Sequence, residues 1–302
     1  MNTTAIEKIA NAVLYEGYLL YPYRSSAIKN QQRFNFGVLY PREYCDLQSG
    51  AESSEMRTEC LVHAPPSATI EAKIRFLQLV EREQRQEGIE REITTPTLAL
   101  DSIVAKPFRR RFTCGKVDDT GGRQLEAELE LHATALDADL FRLTVTVRNV
   151  APLHDPARDR VLLESLVSVH SILHVDGGEF VSSLDPPEQW KTAVAACHNL
   201  GAWPVLVGEE GQRDLILSSP IILYDYPEIA PESPGDLFDG TEIDEILALR
   251  ILTMTDAEKQ EVRSGDDRAR RILERTEMLP PEHFQKLHGA LRGLRIHPEE
   301  AP

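Results

Sequence analysis

Leu125-Glu126-Ala127-Glu128-Leu129-Glu130-Leu131-His132-Ala133 and Phe141-Arg142-Leu143-Thr144-Val145-Thr146-Val147 decide the fold class. In each run every second residue is apolar, the pattern of a strand that buries one face and wets the other. Between them lies Leu136-Asp137-Ala138-Asp139, short and polar enough for a turn, so an antiparallel hairpin is expected. A helical reading of Leu125–Ala135 stays open at this level. Ile70-Glu71-Ala72-Lys73-Ile74-Arg75-Phe76 alternates in the same way, and the two-residue period holds from about 58 to 150. A parallel sheet would need continuous apolar strands separated by helices, and the chain does not read that way. The expected class is α+β: an antiparallel β-sheet or sandwich core with flanking helices and a C-terminal helical module.

Before this region, Thr4 and Glu7 have capping-box spacing, and Ile6, Ile9, Ala10, Val13 and Leu14 form an apolar stripe, which predicts a helix over 4–16 ending near Gly17. Phe34-Asn35-Phe36-Gly37-Val38-Leu39-Tyr40 reads as a strand closed by Pro41. After it, the predicted order is a short helix near 158–165, a strand from Leu166 to His174, a Gly177-Gly178 turn, a helix over 187–200 and a buried strand from Arg213 to Leu223. Ile229-Ala230-Pro231-Glu232-Ser233-Pro234-Gly235-Asp236 has linker composition. Helices follow: one opened by Thr241 and Asp244, one capped by Thr255 and Glu258, one over 267–278, and one after Pro280-Pro281. The expected domains are therefore an α+β core over 1–228 and a linker with a helical module over 229–302.

Charge and composition exclude several function classes. With 33 basic and 49 acidic residues among 302, the formal charge is −16, a balance that repels phosphate backbones. The densest basic run, Lys106-Pro107-Phe108-Arg109-Arg110-Arg111, is short and bracketed by apolar residues, so no nucleic-acid partner is expected. No stretch approaches the roughly 18 uninterrupted apolar residues of a membrane span. Met1-Asn2-Thr3-Thr4 lacks a basic leader, so no secretory signal is expected. Cys45, Cys60, Cys114 and Cys197 lie far apart with no C-x-x-C pair, and reduced thiols in the cytoplasm are the expectation.

The residues that could carry chemistry each have a plain structural reading. His170 and His174 have the i, i+4 spacing that shares a zinc ion on a helix. On the predicted strand the pair would sit about 13 Å apart, at ~3.3 Å per residue, too far for one metal. Cys197-His198 could be a nucleophile and base, but adjacent helical residues diverge by about 100° and do not face each other. A buried thiol beside a histidine near a helix C-terminus explains the pair as well. Asp236, Asp239, Glu242, Asp244 and Glu245 cluster at a helix start, where carboxylates complement the dipole. Gly121-Gly122 and Gly177-Gly178 read as turns, and no phosphate-binding, dinucleotide or nucleophile-elbow motif is present. No metal and no cofactor is expected.

The most unusual stretch is Tyr15-Glu16-Gly17-Tyr18-Leu19-Leu20-Tyr21-Pro22-Tyr23-Arg24, which holds four of the chain's eight tyrosines, with Tyr40 and Tyr44 close behind. Tyrosine joins a large apolar body to a polar tip, so the cluster is either an aromatic layer of the core or a contact surface. Its polar company (Glu16, Arg24, Lys29, Asn30 and Arg33) is of the kind found at protein–protein hot spots.

Ala12-Val13-Leu14-Tyr15-Glu16-Gly17-Tyr18-Leu19-Leu20-Tyr21-Pro22-Tyr23-Arg24, with Asn30 and Phe36-Gly37-Val38-Leu39-Tyr40-Pro41, resembles the opening of an uncharacterised protein family associated with gene clusters of actinobacterial-type, oxygen-tolerant NiFe-hydrogenases. The block from Ile229 to Leu247 is similar to that family's second distinctive segment. The resemblance implies a cytoplasmic accessory or maturation role for the hydrogenase and supplies no active site.

Three readings follow. The leading one is a non-catalytic assembly factor that holds a protein partner, a hydrogenase subunit or maturation factor, through Tyr15, Glu16, Tyr18, Tyr21, Tyr23, Arg24, Asn30 and Arg33. The second is an enzyme whose cleft is built from His170, His174, Cys197, Glu242 and Asp244 and acts on a small molecule. The third is a scaffold whose tyrosines are core.

Overall fold

A computed structural model describes residues 3–15, 36–82, 85–115, 123–228, 244–265 and 267–280. These fall into two compact units, one ending at Glu228 and one carrying the C-terminal helices.

The first unit opens with α1 (Thr3–Tyr15) and α2 (Arg42–Leu47). Strands β1 (Glu55–His63), β2 (Thr69–Arg82), β3 (Arg85–Thr94) and β4 (Leu98–Ala99) follow, then α3 (Leu100–Ala105) and β5 (Phe108–Cys114). Next come β6 (Leu125–Ala135), β7 (Leu140–Asn149), α4 (Arg158–Val161) with a 3-10 turn over Leu162–Glu164, β8 (Leu166–Asp176) and β9 (Glu179–Phe180). A 3-10 turn at Glu188–Trp190, α5 (Lys191–Ala195), β10 (Trp203–Leu206) and β11 (Leu215–Ser219) complete it.

The strands make two antiparallel sheets, ordered β5-β6-β7-β1-β9 and β10-β11-β8-β2-β3, with β4 also on β2. Their inner faces form one apolar cluster: Met56, Cys60 and Val62 from β1, Leu129 and Leu131 from β6, Leu143 and Val145 from β7, against Ile70, Ile74 and Phe76 of β2 and Val169 and Leu173 of β8. The α+β class with an antiparallel sandwich core is thus observed. Period-two patterning dictates it, because each alternating run delivers its apolar set to the same interior. The β6–β7 hairpin pairs in register from Ala127↔Asn149 to Ala135↔Phe141, which settles 125–135 as strand. Among the described residues a buried polar contact crosses the interior: the hydroxyls of Thr58 on β1 and Ser218 on β11 lie 2.6 Å apart.

Three sequence expectations need correction. Within the described part of 34–40, Phe36-Gly37 is a bend and Leu39 makes only isolated bridges to Ser53 and Leu166. Gly37 has φ +53°, and a Cβ there would meet Pro220 Cγ at 2.6 Å, so the backbone turns where a strand would continue. Residues 34 and 35 lie outside the described residues. The helix over 187–200 shrinks to a 3-10 turn and α5, because Leu200 exchanges both backbone hydrogen bonds with Arg57 at the β1 edge, at 3.0 and 2.8 Å. The strand over 213–223 stops at Ser219, since Pro220 cannot donate to the ladder.

The second unit contains α6 (Asp244–Leu252), α7 (Asp256–Arg263) and α8 (Asp267–Glu277), which bury Leu247, Ile251, Val262, Ile272 and Leu273. Thr255 caps α7 with the reciprocal bonds expected of Thr255 and Glu258. Lys259 and Arg263 of α7 both pair with Glu277 of α8. The Thr4–Glu7 cap, the Gly121-Gly122 turn, the 229–236 linker and the helix after Pro280 lie outside the described residues or rest on side chains that do.

Candidate functional site

Helix α1 lies on the outer face of the β10–β3 sheet and buries Ala10, Val13, Leu14 and Tyr15. Beneath it β8 carries one extra residue opposite the Arg75/Leu77 step of β2, a bulge in which Ser168 adopts φ +55°. The bulge binds the surrounding chain together. Ser168 Oγ donates to the Val13 carbonyl at 3.0 Å, and its backbone N–H donates to the Phe36 carbonyl at 3.2 Å.

Alongside runs a polar network. Arg75 donates from Nη2 to Asn11 Oδ1 at 2.7 Å and pairs with Glu90 at 3.5 Å and Glu92 at 3.8 Å. Tyr15 is 5% exposed, and its hydroxyl donates to Glu90 Oε1 at 2.5 Å. Of the eight expected partner-binding residues, Tyr15 is thus an anchor of α1 rather than an open surface. Glu16, Tyr18, Tyr21, Tyr23, Arg24, Asn30 and Arg33 lie outside the described residues. Tyr40 and Tyr44 are buried with ring centroids 5.0 Å apart, and burial beside Glu52 pushes the Tyr40 phenol up to about 12.

His170 sits opposite Arg75 in the β2–β8 ladder and is fully buried. Its Nδ1 is 3.0 Å from the Ser168 carbonyl, which can only accept, so Nδ1 carries the proton and Nε2 is a lone acceptor without a partner in the structure. Burial, with a smaller push from the Arg75 cation, lowers its pKa to about 4 against the opposing pull of the Ser168 carbonyl. His174, four residues on, faces Asp214 at 3.7 Å. Cys197 follows α5 and packs against the other sheet through Leu61, Leu140 and Val181, where burial and the Glu59 carboxylate push its thiol up to about 11. Asp244 begins α6 in the second unit, with its side chain outside the described residues, as are Asp236, Asp239, Glu242 and the side chain of Glu245. The structure therefore does not bring Cys197 to the histidines. Among the described residues no group of three or more His, Cys, Asp or Glu could hold a metal ion, and no helix is long and apolar enough to cross a membrane.

Two features escaped sequence reasoning. The first is a pair at the end of the sandwich, where His63 Nε2 meets Asp139 Oδ2 at 3.2 Å and the imidazole packs on Trp190 at 4.9 Å, beside a cavity of about 520 Å³. Seventy-six positions separate the pair, and nothing in the spacing announces it. The second is a set of exposed apolar side chains along the β10 margin. After β11 the chain returns along the outer edge of β10, held by Tyr226 N–H to the Leu206 carbonyl at 2.8 Å and by Leu206 N–H to Asp225 Oδ1 at 2.8 Å. Ile221 and Leu223 pack inward on Val205, Val207 and Leu217. Alternation then turns Ile222 and Tyr224 out, 71% and 85% exposed, while Trp203, on the same strand face as Val205, is 44% exposed. Such exposed large apolar side chains stand out from the otherwise buried apolar residues of this segment.

Comparison with protein-family models and with curated proteins finds no match to this chain.

Proposed function

We propose that this chain is a non-catalytic accessory or assembly factor that binds a protein partner. The observation that carries the reading is the pair Ile222 and Tyr224, large apolar side chains 71% and 85% exposed beside the β10 edge. The tyrosine-rich segment, from Glu16 to Arg33, is proposed to add Tyr18, Tyr21, Tyr23, Arg24, Asn30 and Arg33 to partner recognition. Following the family resemblance, the proposed partner is a NiFe-hydrogenase subunit or maturation factor, met in the cytoplasm. Affinity purification of the tagged protein from its native host under hydrogenase-inducing conditions tests this. A hydrogenase subunit or maturation factor in stoichiometric amount supports it, and recovery of the protein alone overturns it.

A second reading, an enzyme with a His/carboxylate cleft acting on a small molecule, is favoured by the His63–Asp139 pair at its cavity, in residues other than those the sequence singled out. It predicts a turnover, found by substrate screening, that His63→Gln abolishes.

A further inference from the structure

The basic run Lys106–Arg111, unused by the proposed function, lies on an open margin of the sandwich. Strand β5 ends its sheet and pairs only with β6, while β3 ends the facing sheet. Arg110 of β5 reaches across the opening and donates to the Thr94 carbonyl of β3 at 3.0 Å, so the two edges border one seam. Among the described residues no backbone hydrogen bond reaches the outer edge of β5. Two cavities are lined in turn by residues of β5, the second reaching Ala127 of β6. One, of about 560 Å³, is walled by Leu98, Ile103 and Phe108, with Ser102, Lys106 and Arg109 at its polar side. The next, of about 370 Å³, is walled by Ile93 and Phe112, with Arg110, Arg111 and Glu126 as its charged groups.

Charge divides unevenly along the seam. Arg109 pairs with Glu130 at 3.2 Å and Arg111 with Glu128 at 3.7 Å, so those cations are matched on the outer sheet face. Lys106 has no ion pair among the described residues, and the hydrogen bond of Arg110 goes to a neutral carbonyl. The open end near Lys106 is therefore cationic in a chain of net charge −16, and Glu126, the carboxylate that lines the second cavity, lies opposite Thr113 at the far end. Charged residues on an edge strand commonly serve to block pairing with other strands. Blocking accounts for the arginines but not for two successive apolar-walled cavities beside them. An unpaired strand edge flanked by side-chain pockets is the arrangement that accepts an added strand, with the main chain giving affinity and the pockets giving specificity.

We infer that the β5 edge is a second docking site, for an extended acidic peptide segment that adds as a strand, seats alternate apolar side chains in the two cavities, and places a carboxylate near Lys106 and Arg110. The seven residues of β5 offer about 23 Å of edge, at ~3.3 Å per residue. This site is separate in sequence from Trp203, Ile222 and Tyr224, so its failure leaves the proposed function untouched.

The test is fluorescence anisotropy of the full-length protein with three labelled probes: an eight-residue peptide alternating valine and glutamate, its valine–lysine counterpart, and a thymidine octanucleotide. The inference predicts saturable binding of the first alone, weakened at least tenfold by Lys106→Glu with Arg110→Glu. Backbone N-methylation of alternate peptide residues leaves the protein unaltered, and it must also abolish binding. Equal binding of the lysine peptide or the octanucleotide overturns the inference, as does indifference to N-methylation or absence of binding.

Discussion

Acid should destabilise this protein through His170 in a way that one substitution removes. The imidazole is fully buried under α1, opposite Arg75, and its pKa lies near 4 against an ordinary 6.5. Because the folded-state value is the lower one, the unfolded chain holds the extra proton between those two pH values. Stability is therefore complete above about pH 6.5 and declines as pH falls toward 4. Linkage puts the loss at about 1 kcal/mol at pH 5.5 and on the order of 3 kcal/mol at pH 4. Glu90 and Glu92 pair with Arg75 in the same network, so the informative quantity is the difference between wild type and His170→Gln. Urea unfolding of both proteins from pH 7.5 to 4 measures it. The variant loses some stability at pH 7.5 from altered packing, and the gap should then close or reverse by about 3 kcal/mol at pH 4. Two curves that run parallel across the range would show that His170 is not buried neutral, and the packing of α1 described above would be wrong.

Three further outcomes follow from the same structure. With its thiol pushed up to about 11, Cys197 should react with a disulfide reagent at pH 8 about a hundredfold more slowly than an ordinary cysteine, since the thiolate is the reactive form; rapid labelling there would contradict its packing against Leu61 and Val181. Thr58→Val should cost about 1–2 kcal/mol by leaving the buried Ser218 hydroxyl without its partner, while adding Ser218→Ala should recover part of that loss in denaturant titrations. Thr255→Ala should lower the stability of the helical unit by about 1 kcal/mol through loss of the α7 cap, read as reduced hydrogen-exchange protection in Asp256–Arg263 with the sandwich strands unchanged.

The sandwich was legible wherever a strand sits inside a sheet with one face wet, because burial of one face imposes an alternation that survives in the residues: β2, β6 and β7 are the cases. Legibility faded at the margins. Strand β3, Arg85-Gln86-Glu87-Gly88-Ile89-Glu90-Arg91-Glu92-Ile93-Thr94, is an edge strand so rich in charge that its few apolar residues mark no face. Strand β5 read only as a basic run for the same reason. Pro220-Ile221-Ile222-Leu223 looked like the end of a buried strand by hydrophobicity alone, yet Pro220 ends the ladder and the following residues turn alternate side chains to solvent. Candidate sites were less legible than the fold. Tyr15 was singled out for its chemistry, but its role as an anchor depends on Glu90, 75 positions away. His63 and Asp139 meet only because the tip of the β6–β7 hairpin reaches the end of β1, a consequence of sheet register that no local spacing encodes.

That the exposed Ile222 and Tyr224 hold a protein partner is the central proposal. Its most direct measurement is quantitative mass spectrometry of purifications from the native host, run side by side for the wild type and for Ile222→Ser with Tyr224→Ser. Both positions are exposed, so the variant should keep the wild-type fold and melting temperature. The account predicts a hydrogenase subunit or maturation factor in near-stoichiometric amount with the wild type and at least a tenfold loss with the variant. The same partner at undiminished level with the variant, or no partner with the wild type, contradicts it.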